Sequence, residues 1–234
     1  MPDRVSLYRP ESDAVDANAI ADWLRGRLTV DVTVRDPFPL DPSSVADRQV
    51  ADPDRPRTGS RTSDDVRGRL YDGRAVQRAC NAALDAAGSD RSLSHCRVAL
   101  LDLPLATWGN DRWHRRVSVL GRPAVVSVPG LWSAPAKPTE YYWHQRRYAR
   151  ATGEVPPEDV LAERVEAAFL HREDPRTTEA LKGYVLQAVH YLASGEAFCD
   201  DERCRLHNAH RHEGVLRAQL DDPEFCEDHA RRYG

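Results

Sequence analysis

Lysine is almost missing from this chain: of 33 basic residues only Lys137 and Lys182 are lysines, and the rest are arginines. Methionine occurs once and cysteine five times in 234 residues. No apolar run approaches the ~18 residues that a membrane-crossing helix requires, so no membrane span is expected. The first ten residues, MPDRVSLYRP, lack the basic-then-apolar layout of a secretory leader. Positive charge is not in excess either, and a net charge of −4 argues against a nucleic acid partner. These absences together predict a cytoplasmic protein whose thiols stay reduced. In that setting clustered cysteines read as metal ligands before disulfides. Cys80 and Cys96 stand apart from the other three and read as buried core thiols.

What the chain does have is a hydrophobic content of 41%, enough for a real core. Its length suits one large domain or two small ones. Abundant Asp beside scarce Lys fits a salt-adapted, hydrated surface and a GC-rich genome equally well. VSLY (5–8) reads as a strand, AVDANAIADWLRGRL (14–28) as an amphipathic helix with Ile20, Trp23 and Leu24 on one face, and TVDVTV (29–34) as a strand. Together they predict a β-α-β opening. Residues 36–65 mix Pro, Asp, Ser and Arg without a period and read as a long, partly mobile loop. A helix is expected over 74–87, ended by Gly88, and a buried strand over CRVALLDL (96–103). RRVSVLGRPAVVSV (115–128) reads as a hairpin around Gly121 and Pro123. A helix is expected after Pro138 with Thr139 as its cap, and mostly helical structure from Pro157 to Gly195. The expected fold is one α/β domain over 1–234, a mixed sheet with helices, ending in a zinc-binding helical extension at 196–234.

The densest chemistry lies in FCDDERCRLHNAHRHE (198–213), two cysteines and three of the chain's nine histidines. Cys199-x4-Cys204 is followed, after 21 intervening residues, by Cys226-x2-His229. Two short-range pairs, each able to bend around one ion, are what a tetrahedral zinc site needs. One structural zinc is therefore expected on Cys199, Cys204, Cys226 and His229. His207 and His210 would share a face if helical, with Glu213 extending it, and are candidates for an extra metal. His207 is also an alternative ligand should His229 not serve. HE at 212–213 does not begin an HExxH motif, because position 216 is Leu.

On these residues the C-terminus resembles the archaemetzincins, a family of metallopeptidases. Their signature is HExxHxxGxxHC-x4-C-x-M followed by CxxC, with three His holding a catalytic zinc, the Glu activating its water and four Cys holding a structural zinc. Cys199 and Cys204 match the C-x4-C step, and Cys226 and His229 match the last pair, with His in place of the final Cys. Leu206 stands at the Met. Counting back from Cys199, Gly195 falls on the motif's glycine. The catalytic positions, however, fall on Ala188, Val189, Leu192 and Phe198. Allowing a deletion makes His190 the first histidine, but Tyr191 then replaces the Glu and Ser194 the second His. RVALLDL and GRPAVVSVPGL resemble the strands before the family's active helix, the latter as a candidate sheet edge. DRWHRRVSVLGRP, SAPAKPTEYY and CRLHNAH carry a likeness, over about 95–230, to an archaeal family of predicted metallopeptidases. The resemblance implies a metzincin-like fold that keeps the structural zinc and lacks the catalytic motif.

Two further segments mix aromatic and basic residues: Trp113, His114, Arg115 and Arg116, and Lys137, Glu140, Tyr141, Tyr142, His144, Arg146 and Arg147. The plain reading is an edge strand and an amphipathic helix with solvated arginines. Three functions stay open on the sequence. The first is a non-catalytic pseudo-peptidase that binds a peptide or protein. The second is a metallohydrolase with a rebuilt site, for which His190, His207, His210, Glu213, His114, Glu140 and Tyr141 are candidates. The third is a zinc-knuckle nucleic-acid binder, which the net charge disfavours.

Overall fold

The computed structural model describes residues 2–40, 45, 48–50, 69–90, 92–166, 168–221 and 224–234. Strand β1 (Arg4–Tyr8) leads into helix α1 (Ala17–Arg25) and returns as β2 (Asp31–Arg35), parallel to β1. Asp16 caps α1, its carboxylate accepting from the Ala19 N–H at 2.9 Å. Ile20, Ala21 and Leu24 form the buried stripe of that helix. The β-α-β opening is as the periodicity predicts. The long loop expected over 36–65 falls largely outside the described residues, and inside it Gln49–Val50 is a short strand, β3.

Next come β4 (Leu70–Asp72), helix α2 (Gly73–Ala86), β5 (His95–Leu101), β6 (Leu105–Gly109), β7 (Arg112–Arg116), β8 (Ser118–Val119) and β9 (Ala124–Ser127). They form two sheets, ordered β2-β1-β5-β9-β8 and β3-β4-β6-β7. In the first, β2, β1, β5 and β9 run parallel and β8 is an antiparallel edge. The hairpin expected near Gly121 is β8–β9. The sheet edge, however, is β8. GRPAVVSVPGL contributes β9, which lies between β5 and β8, and its four residues are all buried as an interior strand requires. The second sheet had no clear sequence signal, since its strands are short and β3–β4 spans the unpatterned region.

Alternation along β5 builds two cores. Cys96, Val98 and Leu100 enter one cluster with α1, whereas Ala99 and Leu101 enter another with Val76, Cys80 and Leu84 of α2. Cys80 and Cys96 are both fully buried, and burial pushes each thiol up to about 12.

The C-terminal half is helical. Helix α3 (Gly130–Ser133) precedes α4 (Thr139–Thr152), α5 (Glu158–Ala162) and α6 (Thr177–Ser194). Thr139 is the first helical residue of α4 and not its cap; Pro138 takes the cap position without a side-chain hydrogen bond. No residue of α4 is fully buried, which suits its arginine-rich composition. The helical stretch expected from Pro157 is broken between α5 and α6, where Asp174 and Pro175 interrupt it. Helix α6 packs on α1 and on the sheet and contributes Leu181, Val185, Leu186, Ala188 and Val189 to the first cluster. It ends at Gly195, whose φ of 81° is the left-handed C-terminal conformation that glycine adopts without strain.

Candidate metal centre

After Gly195 the chain folds into a knuckle. The Cys199 N–H donates to Leu206 O at 2.9 Å, and the His207 N–H donates to Cys204 O at 2.8 Å. Asp201 tightens the turn by accepting from the Arg203 N–H at 2.9 Å. The Arg205 N–H then donates to Glu224 O at 2.9 Å, bringing the distant second pair alongside. Cys226 is the residue before helix α8 (Glu227–Tyr233), so His229 lies one turn in and faces the same way.

These backbone contacts bring one donor atom each from Cys199, Cys204, Cys226 and His229 within 4.8 Å of one another. The Sγ atoms of Cys199 and Cys226 are 3.7 Å apart, and Cys204 Sγ is 3.6 Å from His229 Nδ1. A zinc ion with ordinary bond lengths has tetrahedral edges of about 3.8 Å between sulfurs and about 3.5 Å between sulfur and nitrogen. Both distances fit. Cys226 Sγ to His229 Nδ1 is tighter, at 3.0 Å, and the imidazole must give by roughly half an ångström to bind. The four residues can hold a metal, and four protein ligands leave no open coordination position for chemistry.

Burial, joined by the adjacent Cys204 and Cys226 thiols, pushes Cys199 up to about 12, and burial raises Cys204 as well. A metal that binds here displaces protons. Behind the group, the His229 ring meets His190 edge-on at 5.0 Å between centroids and stacks on Tyr233 at 6.4 Å. His190 Nδ1 and the Tyr233 hydroxyl are hydrogen-bonded at 2.7 Å. Burial, then the His229 and Arg232 charges, brings His190 down to about 4. The sequence reading missed Tyr233, although an aromatic four residues after His229 on a helix shares its face.

The other candidates are scattered. His207 and His210 lie before helix α7 (His212–Leu216), outside any helix, so the shared face expected of them does not form. His207 Nδ1 is hydrogen-bonded to Cys199 O at 3.1 Å, and His210 is exposed. Glu213 pairs with Arg217 at 2.9 Å. His114 Nε2 is hydrogen-bonded to Gly109 O in the β6–β7 hairpin, at 2.8 Å. Glu140 lies 3.6 Å from His144 and accepts from the Glu166 N–H. Tyr141 meets the Phe169 ring, and burial raises it to about 12. Among the described residues the Cys/His set is the one group of three or more metal-binding side chains brought together.

A second buried polar cluster escaped the sequence reading. Lys137 donates to Leu170 O at 2.7 Å and lies 3.3 Å from Glu158, with its ammonium 4.3 Å from the Phe169 ring. Burial, against the pull of Glu158, brings it down to about 8. His212 is fully buried, accepting from the Leu170 N–H at 3.1 Å and lying 3.3 Å from Trp132 O. These contacts tie α3, the 170 region and α7 together.

The fold and the site define a mixed α/β protein with a three-cysteine, one-histidine group at its C-terminal end. Residues 6–232 match the family described as "Family of unknown function (DUF7001)", and the chain belongs to that family. No curated protein matches the sequence. Among solved structures the chain is similar to a zinc-dependent peptidase from Methanocorpusculum labreanum, with a TM-score of 0.51, 13% identity and 96% of each chain covered. It is also similar to an archaemetzincin from Methanopyrus kandleri, with a TM-score of 0.49, 15% identity, and 97% of this chain and 91% of that one covered. At these identities the likeness is one of fold. No described helix is long and apolar enough to cross a membrane.

Proposed function

We propose that this protein is a non-catalytic relative of the zinc peptidases, with one structural zinc on Cys199, Cys204, Cys226 and His229, that binds a peptide or protein. The four-donor group saturates a tetrahedral ion and so supports a structural zinc, and among the described residues no second group of three or more metal-binding side chains is brought together for a catalytic one. The composition of α6 supports the same reading. At the positions where the archaemetzincin resemblance requires a histidine, a glutamate and a second histidine, α6 has Ala188, Val189 and Leu192. The first two have no exposed surface and lie in the apolar core, and the partly buried Leu192 packs against it. Residues 196–234 act as a zinc-closed extension of a single α/β domain, and a reducing cytoplasm suits its three thiols.

Elemental analysis of purified protein tests this together with a peptidase assay. One zinc per chain is expected, lost in Cys199→Ser and Cys226→Ser, with no cleavage of casein or of a quenched-fluorophore peptide library even in added zinc. Two metals per chain with chelator-sensitive hydrolysis would overturn the proposal in favour of a rebuilt hydrolase site. Salt-sensitive retention of single-stranded RNA would do so in favour of a nucleic-acid binder.

A further inference from the structure

The parallel strands β1 and β5 are neighbours, yet the chain leaves their C-terminal ends toward different partners. From β1 it passes through α1 to β2, on the far side from β5; from β5 it passes to β6 in the second sheet. In open parallel sheets such a divergence leaves a crevice at the carboxyl ends of the strands, and ligands bind there. Here the crevice holds a cavity of about 530 Å³, within the range of small-molecule sites. Its two walls are clasped across the divergence by Ser12. The Ser12 N–H and hydroxyl donate to the two carboxylate oxygens of Asp102, at 2.9 and 2.8 Å.

The lining has two chemistries. Phe38, Leu40, Leu101 and Leu103 make an apolar wall, and Phe38 and Leu101 belong to the core cluster on the α2 side of the sheet. Arg9 and Arg69 bring positive charge, and Glu11 and Asp102 bring negative charge. Arg9 is 3.5 Å from Asp36, both side chains being well exposed. An ion pair of that kind is weak, so its guanidinium can turn to a ligand carboxylate at little cost. Glu11 has no ion-pair partner among the described residues. The metal group, by contrast, packs with the core cluster on the other side of the sheet, to which Cys204 and Leu206 belong.

We propose that this crevice binds a small zwitterion with an apolar side chain, a free amino acid or a short peptide with free termini. The side chain rests on the wall of Phe38 and Leu101, the carboxylate meets Arg9 and Arg69, and the ammonium meets Glu11 and Asp102. The proposal is independent of the zinc reading, because metal content and ligand affinity are measured separately.

Calorimetric titration of the full-length, zinc-loaded protein with leucine, Leu-Leu and Leu-Leu amide tests it. Saturable binding of leucine or Leu-Leu is expected in the millimolar range or tighter, and whichever of the two binds more tightly identifies the source of the ligand. Removing the carboxylate as the amide, or Arg9→Gln, should weaken that binding about tenfold or more. Glu11→Gln should weaken it too, and restore part of the affinity for an N-acetylated ligand relative to the free amine. Failure of both leucine and Leu-Leu to bind would overturn the proposal. Equal affinity for acid and amide, or unchanged affinity in Arg9→Gln, would overturn it as well. Neither result would alter the zinc count.

Discussion

Strand β5 sends Val98 and Leu100 into one layer and Ala99 and Leu101 into the other, each at most 7% exposed. In residues 196–234, by contrast, the buried side chains Cys204, Leu206, Val215, Leu216 and Tyr233 belong to the cluster built on α1, α6 and the sheet. The sheet region has enough apolar surface to order itself by burial, which stabilises by roughly 25 cal/mol per Å². The C-terminal region buries its apolar side chains against that cluster, and its short helices are marginal without support. Four donor side chains stand where that region lacks a core of its own. The two regions therefore should fail under different insults.

The largest expected effect separates them by metal. Chelation, or Cys204→Ser, removes metal-coupled folding free energy on the order of 10 kcal/mol. Hydrogen exchange should then show loss of protection from residue 199 onward while amides of β1, β5 and β9 stay protected. If the sheet amides became equally fast, the sheet would depend on the metal too and the contrast would collapse. Partial loosening is expected at α6, since Cys204, Leu206 and Tyr233 pack into the same cluster as Val185 and Val189.

The converse change is made in the sheet. Leu100→Ala leaves a cavity at a fully buried position, and should lower global stability by about 2–5 kcal/mol. Urea unfolding followed by tryptophan fluorescence reads this directly. At permissive temperature the zinc content should remain one per chain. A variant that lost its metal along with its stability would show that the knuckle is not preformed by local contacts such as Asp201 to Arg203.

What was legible in the sequence divides along the same line. Period-two and period-3.6 patterns give β1, α1, β2, α2 and β5 within a few residues, because each buries one regular face. The Cys/His ligands are legible because their spacings are local and their chemistry is rare in other roles. Order within the sheet is not local: that β9 sits inside and β8 at the edge depends on pairings across the chain. The helical face expected for His207 and His210 failed for a similar reason. The backbone there is committed to Ala136 through the His210 carbonyl and the His212 N–H. The crevice beyond β1 and β5 could not be read at all, since it exists only through the strand order.

A smaller effect follows from the buried histidines. Burial, with the nearby Lys137 charge, brings His212 down to about 3 from an ordinary 6.5. Burial likewise brings His95 down to about 4. Between these values and 6.5 the unfolded chain binds protons that the folded chain refuses. Their stabilisation is thus complete above pH 6.5 and is lost as pH falls through the window toward 3. One such proton corresponds to about 1.4 kcal/mol per pH unit. Urea midpoints measured from pH 7 to 5 should fall less steeply in His212→Gln than in the parent chain. Identical slopes would mean that His212 is protonated in the folded state and that its bond from the Leu170 N–H is not formed. Because metal release also takes up protons at acid pH, the comparison is made between the two zinc-loaded proteins, where that contribution cancels.

The smallest predicted effect tests whether the sheet region owes anything to local helix chemistry. Asp16→Ala removes the carboxylate that caps α1 through the Ala19 N–H, leaving a helix-end donor to water. The cost should be about 1 kcal/mol, detectable as a shifted urea midpoint with an unchanged slope. Asp16→Asn, which keeps an acceptor oxygen, should recover most of it. Zinc stoichiometry and exchange rates beyond residue 199 should not move, since α1 touches that region mainly through α6 and the Arg205 guanidinium over Trp23. A cap substitution that loosened the knuckle would place Trp23 and Arg205 on the route joining the two regions. The double substitution Asp16→Ala with Arg205→Ala would then be less than additive in stability.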